Sequence, residues 1–423
     1  MRTTYLFVFI IFYLLVASPL QAAELAPPGA EVGELLTLAR ERNPELAGMR
    51  HEAAAVTERM DAASALPDPL FRMSLQDFTN KEAGGPTTLV PSQTGSTYYR
   101  LMQPLPFWGK RDLKRDIAAA EAQSAEGRSG STWAEVAAKI KTDFAQAYLL
   151  VNSQKLTQEM LDLTQNLQRI AKSRYATGLA PQQDVIRAQV EETALRRDLL
   201  MLETERHHSM AWLNILLQRE PFAELAEPQR LRPLPAPAKL EFNVLAEQLR
   251  SHNPQLFTLQ AQLTAADKNR ELMYKNRYPD FSLGVGATQV GNDIKMWELM
   301  VEFNIPLQQG SRRGQEHEAE NMLAAAQSRK DAAASQLLGE LSQYSVALDV
   351  ARQLETINTS SLIPQSEATL QAAYVGYQNG KVDFATLLDA QRQILKAKLD
   401  VLNAQVQAQV SLAQIEKLLG EDL

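Results

Sequence analysis

The chain alternates between two kinds of hydrophobic pattern. Four short stretches alternate apolar and polar residues, which predicts β-strands with one apolar and one polar face. These stretches are residues 71–75, 99–101, 281–287 and 297–305. Most of the remaining chain is predicted to be helical; residues 395–413, for example, repeat apolar residues every three or four positions, the spacing of helices. We therefore expect two β-hairpins embedded in a mainly helical protein.

Two of the predicted helices are far longer than those of ordinary globular proteins. Residues 111–176 contain no proline, and residues 312–378 contain only Pro364. About 65 helical residues would extend roughly 100 Å. The Gly-Ser sequence at residues 127–131 predicts a bend in the first of them. Two medium helices, 31–65 and 181–218, could lie antiparallel beside a long one.

The same unit occurs twice in the chain. The pairs Asn43-Pro44 and Asn253-Pro254 are 210 positions apart, and Gly178 and Gly380 are 202 apart. Each copy is predicted to contain a helix, two strands, a very long helix and a medium helix. The predicted division is a signal peptide at 1–22, a first repeat at 23–218, a Pro-rich linker at 219–240 and a second repeat at 241–423.

The N-terminus and the composition indicate the compartment. A 12-residue apolar run, Tyr5 to Val16, precedes small residues around Ala22. This arrangement is typical of a secretory signal peptide, and the run is short for a membrane anchor, which needs ~20 apolar residues. The chain has no cysteine, so disulfides, Cys-ligated metals and an acylated cysteine are excluded. A net charge of −7 without a basic stripe argues against nucleic acid as a partner.

No residue set predicts catalysis, a cofactor or a metal site. The sequence has no nucleophile elbow, Gly-rich phosphate loop or zinc-protease motif. His207-His208 and the glutamates around His317 could be considered as metal ligands. Adjacent histidines on a helix point about 100° apart, and no third ligand has suitable spacing. We interpret both as solvated helix faces and predict that the protein is not an enzyme.

Three motifs resemble one family: the duplicated Asn-Pro helix start, "QPLPFWGKR" before the first long helix, and "YQNG…LLDAQR" near the end. Together they are similar to the TolC family, the outer-membrane channels of tripartite efflux systems. The resemblance implies a homotrimer in the outer membrane of a Gram-negative bacterium. Each protomer would give four strands to a 12-stranded β-barrel in outer-membrane lipid, and helices to a tunnel crossing the periplasm. The implied partners are a periplasmic adaptor and an inner-membrane transporter, expected to be of the RND type.

The last motif gives the periplasmic tip of the tunnel. Asn379-Gly380 is predicted to reverse the chain between two helices, with glycine supplying positive φ. Gly178 is its counterpart in the first copy. The resemblance makes this end the gate of the channel, since members of the family close at that tip.

Five residues near these turns are candidates for the gate. In the family, an aspartate at the position of Asp389 faces the pore, and a second acidic residue often lies three positions earlier. Here that position is Thr386, so one acidic ring is expected. Tyr377 matches a tyrosine that links neighbouring helices when the tip is closed. Asp184 and Arg187 have matching spacing in the first copy, where Arg187 falls opposite Asp389 in the repeat alignment.

The sequence alone leaves several candidates for the exported cargo. The "QPLPFWGKR" region is most similar to the subfamily that serves copper–silver or cobalt–zinc–cadmium exporters. Export of heavy-metal ions is therefore the preferred interpretation. The alternatives are export of organic drugs or metabolites and secretion of proteins. A further hypothesis, without a channel, is a periplasmic coiled-coil scaffold or adaptor.

Overall fold

The structure is a computed structural model that describes residues 27–81 and 84–423. The predicted signal peptide, residues 1–22, lies outside the described residues. The helices are α1 Val32–Arg42, α2 Pro44–Ser64, α3 Lys110–Ala176, α4 Gln182–Leu216, α5 Phe242–His252, α6 Pro254–Lys275, α7 Gln309–Ile357, α8 Ile363–Gln378 and α9 Phe384–Leu419. The strands are β1 Leu70–Gln76, β2 Ser96–Leu105, β3 Phe281–Val290 and β4 Asp293–Phe303. The predicted mainly helical fold with two hairpins is confirmed.

The Asn-Pro pairs divide helices, and this corrects one expectation. Residues 31–65 form α1 and α2 and not a single helix, because the residue before a proline avoids helical backbone angles. The asparagine caps the new helix: Asn43 Oδ1 accepts a hydrogen bond from the Leu46 N–H at 3.0 Å, and Asn253 Oδ1 accepts one from Leu256 N–H at 2.7 Å. Asn253 also donates to the α9 carbonyl of Leu418 at 2.7 Å, which fixes α6 against α9.

Both long helices exist, but only one is regular. Helix α3 runs for 67 residues and contacts α2, α4, α6 and α9. Its counterpart is α7, followed by a π-helical turn at Asn358–Leu362 and then α8. Pro364 has no N–H to bond to the carbonyl four residues earlier, and the backbone widens just before it. None of the helices within residues 27–81 and 84–423 combines the length and the apolar character that spanning a lipid bilayer requires.

The Gly-Ser sequence in α3 does not interrupt the helix, whose assignment is continuous from Lys110 to Ala176. Gly127 instead permits close packing of α6. A Cβ atom at this position would lie 2.3 Å from Thr258 Oγ1 and 2.9 Å from the Phe257 ring. The glycine is therefore needed for the approach of two helices, a role that the sequence prediction of a bend missed.

A buried group of charges holds the Pro-rich segment to the helices. Lys141 of α3 contacts Glu416 of α9 at 2.7 Å and also pairs with Asp422. Arg232 of the Pro-rich segment contacts the same Glu416 at 2.9 Å. Glu416 is almost completely buried, so it depends on both cations for compensation. This end of α9 is consequently fixed to α3.

The four strands form one antiparallel sheet in the order β1-β2-β3-β4. Residues 77–95 connect β1 to β2, whereas only residues 291–292 connect β3 to β4. In the register, Phe71, Leu101, Val285 and Leu299 form one row across the sheet. Within the described residues, β1 and β4 are each hydrogen-bonded along one side alone.

The two faces of the sheet differ in chemistry. The row of Phe71 and the row of Trp297 belong to an apolar face, on which Trp297 is 74% and Leu299 81% exposed. The neighbouring row presents Arg100 and Glu298, 3.9 Å apart, to the opposite face. A contiguous exposed apolar surface of this kind marks contact with a membrane or with another protein.

Candidate gate at the helical tip

Two helix reversals lie side by side at the end of the bundle. The turns α3–α4 and α8–α9 each contain a glycine in the left-handed region, Gly178 with φ 75° and Gly380 with φ 70°. In each turn, the N–H after the glycine donates to the carbonyl five residues earlier, at 2.8 and 2.9 Å. This pattern is a Schellman motif, which requires the glycine conformation. Asn379 donates from its side chain to the Val375 carbonyl at 2.9 Å.

Arg174 joins the two reversals. Its guanidinium donates to the Gln378 carbonyl at 2.6 Å and to the Leu179 carbonyl at 3.3 Å. The same group lies 5.1 Å from the centre of the Tyr377 ring, within the range of a cation–π contact. Sequence reasoning missed this residue, although its position four residues before Gly178 places it in the last turn of α3.

Tyr377 is packed into the core of the tip. It is 3% exposed, and its ring centre lies 5.1 Å from that of Phe384. The Tyr377 hydroxyl donates to Asp184 Oδ2 at 3.2 Å, and Asp184 is itself only 9% exposed. Burial, followed by the nearby Asp184 carboxylate, raises the pKa of Tyr377 to about 12. The phenol therefore keeps its proton and links α8 to α4.

Thr386 has a local partner. Asp383 is the N-cap of α9 and accepts hydrogen bonds from the Thr386 N–H at 2.8 Å and from the Thr386 hydroxyl at 2.6 Å. These bonds lower the pKa of Asp383, and Arg187 lowers it further from a distance. The threonine at this position thus contributes to helix capping.

Asp389 and Arg187 line one groove between α4 and α9, with a volume of about 550 Å³. Asp389 is exposed, with 67% of its side chain accessible, and its carboxylate lies 3.8 Å from Arg392 Nη1. No ion pair joins Arg187 to Asp389 among residues 27–81 and 84–423. The repeat alignment brings the two side chains to the same groove without making them partners.

The ion pair between these helices is formed by residues that the sequence did not single out. Arg392 Nε lies 3.1 Å from both carboxylate oxygens of Glu191, which is largely buried on α4. One residue earlier, Gln391 donates to the Met160 carbonyl at 3.0 Å and to Thr164 Oγ1 at 2.5 Å. The only sequence signal for Arg392 is its spacing of three from Asp389, which places both on one side of α9.

The described part of the chain contains no group of three or more His, Asp or Glu side chains that could hold a metal ion. His317 Nδ1 lies 3.2 Å from Glu320 Oε2, three residues further along α7. Both side chains are largely exposed, and a metal site would need at least one more ligand. What the tip offers is therefore a set of hydrogen bonds and ion pairs between helices.

A family model described as outer membrane efflux protein matches residues 35–217 and 245–421. The chain belongs to the outer membrane efflux protein family. The predicted membership of the TolC family is thereby confirmed, as are the outer-membrane location and the prediction that the protein is not an enzyme. Members of this family act in tripartite efflux with an adaptor and an inner-membrane transporter, and form trimers. This chain is an outer-membrane efflux channel.

Individual proteins are similar to this chain over nearly its whole length. The cobalt-zinc-cadmium resistance protein CzcC of Cupriavidus metallidurans is 22% identical over 396 residues, covering 91% of this chain and 88% of its own. The outer membrane protein VceC of Vibrio cholerae has a TM-score of 0.77 at 17% identity, covering 92% and 96% of the two chains. The open-state MtrE channel of Neisseria gonorrhoeae has a TM-score of 0.73 at 17% identity, covering 93% and 89%.

Proposed function

We propose that three copies of this chain form the exit channel of a tripartite efflux pump for heavy-metal ions. The observation that carries the choice of cargo is the similarity to CzcC over 91% of the chain. A periplasmic adaptor and an inner-membrane transporter of the RND type would supply cargo and energy. The duct itself would be passive, so it needs no metal site of its own.

The sheet supports a shared membrane barrel. Four strands with one apolar and one polar face, and with two outer strands that are each paired on one side, suit a third of a 12-stranded barrel. Strand β4 of one protomer would pair with β1 of the next, because an unpaired sheet edge is unstable in lipid. We also retain the division into repeats at 23–218 and 241–423 as part of the proposal.

The tip supports a gate without covalent chemistry. Asp389 would form an acidic ring in the trimer, while Thr386 would leave a second ring absent. The Tyr377–Asp184 hydrogen bond and the Arg392–Glu191 ion pair would hold the inner pair α8–α9 against the outer pair α3–α4. Partly solvated ion pairs contribute about 0–1 kcal/mol each. Docking of an adaptor would therefore be sufficient to shift the balance.

Conductance measurements on single trimers in planar bilayers test the gate. Asp389→Ala is expected to raise the conductance and to weaken the block by divalent cations, because the charged ring is removed. Asp162→Ala, which removes a carboxylate from the exposed side of α3, is the matched control and should behave as wild type. An unchanged conductance in Asp389→Ala would remove this residue from the constriction.

The cargo is tested by growth of a strain that lacks this gene, on cobalt, zinc, cadmium, copper and silver salts and on dyes, detergents and antibiotics. Selective sensitivity to metals is the expected result. Sensitivity to organic compounds alone would refute the metal assignment and leave the channel intact.

A further inference from the structure

An apolar cleft of about 470 Å³ lies where the sheet joins the helices. Six of its lining residues are Leu66, Leu105, Phe107, Trp108, Phe281 and Val301. The cleft opens on the apolar face of the sheet, because Val301 and its partner Leu283 belong to that face. Leu105 and Phe281 come from the two central strands, away from the outer edge of β1. The apolar face thus continues into a recess at its base.

The segment that carries the recess is fixed in place. The Phe107 ring stacks on Tyr278 at 4.6 Å, and the Phe107 N–H donates to Asp280 Oδ1 at 2.8 Å. Lys110 donates to the same carboxylate at 2.8 Å and is itself buried. Trp108 is different: it is 76% exposed, although its ring lies 5.7 Å from Phe281. A rigid backbone therefore presents a large apolar side chain to the surroundings.

Positive charge follows immediately along α3. Arg111 lines the cleft and donates from Nε to the Ser64 carbonyl at 2.7 Å, which leaves its terminal nitrogens for another acceptor. Lys114 and Arg115 follow within about one helical turn, and both are exposed. Asp112 is the acidic residue among those that line the cleft. Arg111, Lys114 and Arg115 outnumber the carboxylates of Asp112 and Asp116 on this turn of α3, and Asp280 is already paired with Lys110. The rim therefore has an excess of positive charge that would attract an anion.

We propose that the cleft binds an anionic phospholipid of the periplasmic leaflet, with an acyl chain in the recess and the phosphate beside Arg111, Lys114 and Arg115. The proposal rests on the proposed function, in which the sheet spans the outer membrane and the helices enter the periplasm. Tryptophan is enriched at membrane–water interfaces because one ring combines an apolar body with an N–H donor. Basic residues beside a membrane surface attract anionic headgroups.

The test is native mass spectrometry of the full-length trimer in detergent, with phosphatidylglycerol and phosphatidylethanolamine added in equal amounts. Wild type is expected to retain phosphatidylglycerol preferentially. Lys114→Gln with Arg115→Gln should reduce this preference by about fivefold for each charge removed. Trp108→Ser should reduce retention of both lipids. The matched control, Lys155→Gln with Lys172→Gln, removes two exposed charges from the same helix far from the cleft and should leave retention unchanged.

Flotation with phosphatidylethanolamine vesicles separates this inference from the proposed function. A chain that inserts in the vesicles but retains both lipids equally would overturn the lipid site and keep the channel. A chain that does not insert would overturn the membrane-spanning sheet, and the site with it. An equal loss in the Lys155 and Lys172 control would show attraction by overall charge and would likewise overturn the site.

Discussion

Replacing Tyr377 by phenylalanine removes one hydroxyl and little else from the helical tip. The ring packing against Phe384 and the contact with the Arg174 guanidinium remain possible. What is lost is the hydrogen bond to Asp184, a carboxylate that is only 9% exposed. The variant therefore isolates one link between α8 and α4.

The size of the effect follows from the geometry. Hydrogen bonds to charged groups contribute about 1.5–3 kcal/mol. The oxygen–oxygen distance of 3.2 Å is longer than the usual distance for a hydroxyl donor, so the lower end of the range applies. A loss of about 1.5 kcal/mol changes the balance between closed and open tips by roughly tenfold for each protomer. In a trimer the three losses would act together.

The assay is the open fraction of single channels in planar bilayers, with Tyr374→Phe as the control. Tyr374 is on the same helix and partly buried at the edge of the same cluster. We expect Tyr377→Phe to be open at least tenfold more of the time, and Tyr374→Phe to resemble wild type. Equal open fractions for wild type and Tyr377→Phe would show that this bond is formed in both states and has no part in gating.

Three further predictions follow from the fold. The pKa of Tyr377 is raised to about 12, so its contribution to holding α8 against α4 is complete below pH 10 and is lost as the pH rises through 12. Conductance should therefore increase over that window in wild type but not in Tyr377→Phe. A parallel increase in both proteins would refute the assignment. Gly127→Ala should destabilise the protein by about 1–3 kcal/mol, because the new Cβ would lie 2.3 Å from a side-chain oxygen of α6. Gly130→Ala should instead stabilise it by up to about 1 kcal/mol. A change of the same sign for both variants in thermal unfolding would contradict this packing. Asn253→Ala should lower the free energy of unfolding by about 2 kcal/mol and Asn43→Ala by about 1 kcal/mol, since of these two asparagines Asn253 also donates a hydrogen bond to α9. Equal losses in the two variants would show that the bond to α9 does not contribute to stability.

The sequence was most informative where one residue type determines local backbone. The alternation predicted the strands, and the absence of proline predicted α3 almost to the residue. The Asn-Pro pairs were recognised as repeat markers, yet their division of one helix into α1 and α2 was missed. Pro364 was noted without its π-turn. Asn43 before Pro44 has an extended backbone, whereas Ile363 before Pro364 keeps helical angles, so a proline alone does not determine whether a helix divides or only widens.

Contacts between helices were predicted less well than the helices themselves. The repeat alignment made Arg187 the equivalent of Asp389 and named no ion pair between α4 and α9; the pair that the structure shows there is Arg392 with Glu191. Alignment fixes which turn of a helix a residue occupies but not the rotation of that helix about its axis. A rotation by a fraction of a turn would place a different arginine against the neighbouring helix. The gate roles of Asp389, Tyr377, Thr386, Asp184 and Arg187 stay predictions.

The two outer strands of the sheet have a consequence for biogenesis. If β1 of one chain can be completed only by β4 of another, the membrane-inserted state cannot be reached by one molecule alone. Its rate of formation would then depend steeply on the local concentration of chains, and newly exported monomers would spend time with an apolar face uncovered. Periplasmic chaperones would have to cover that face until three chains associate. Expression level would thus decide between assembly and aggregation.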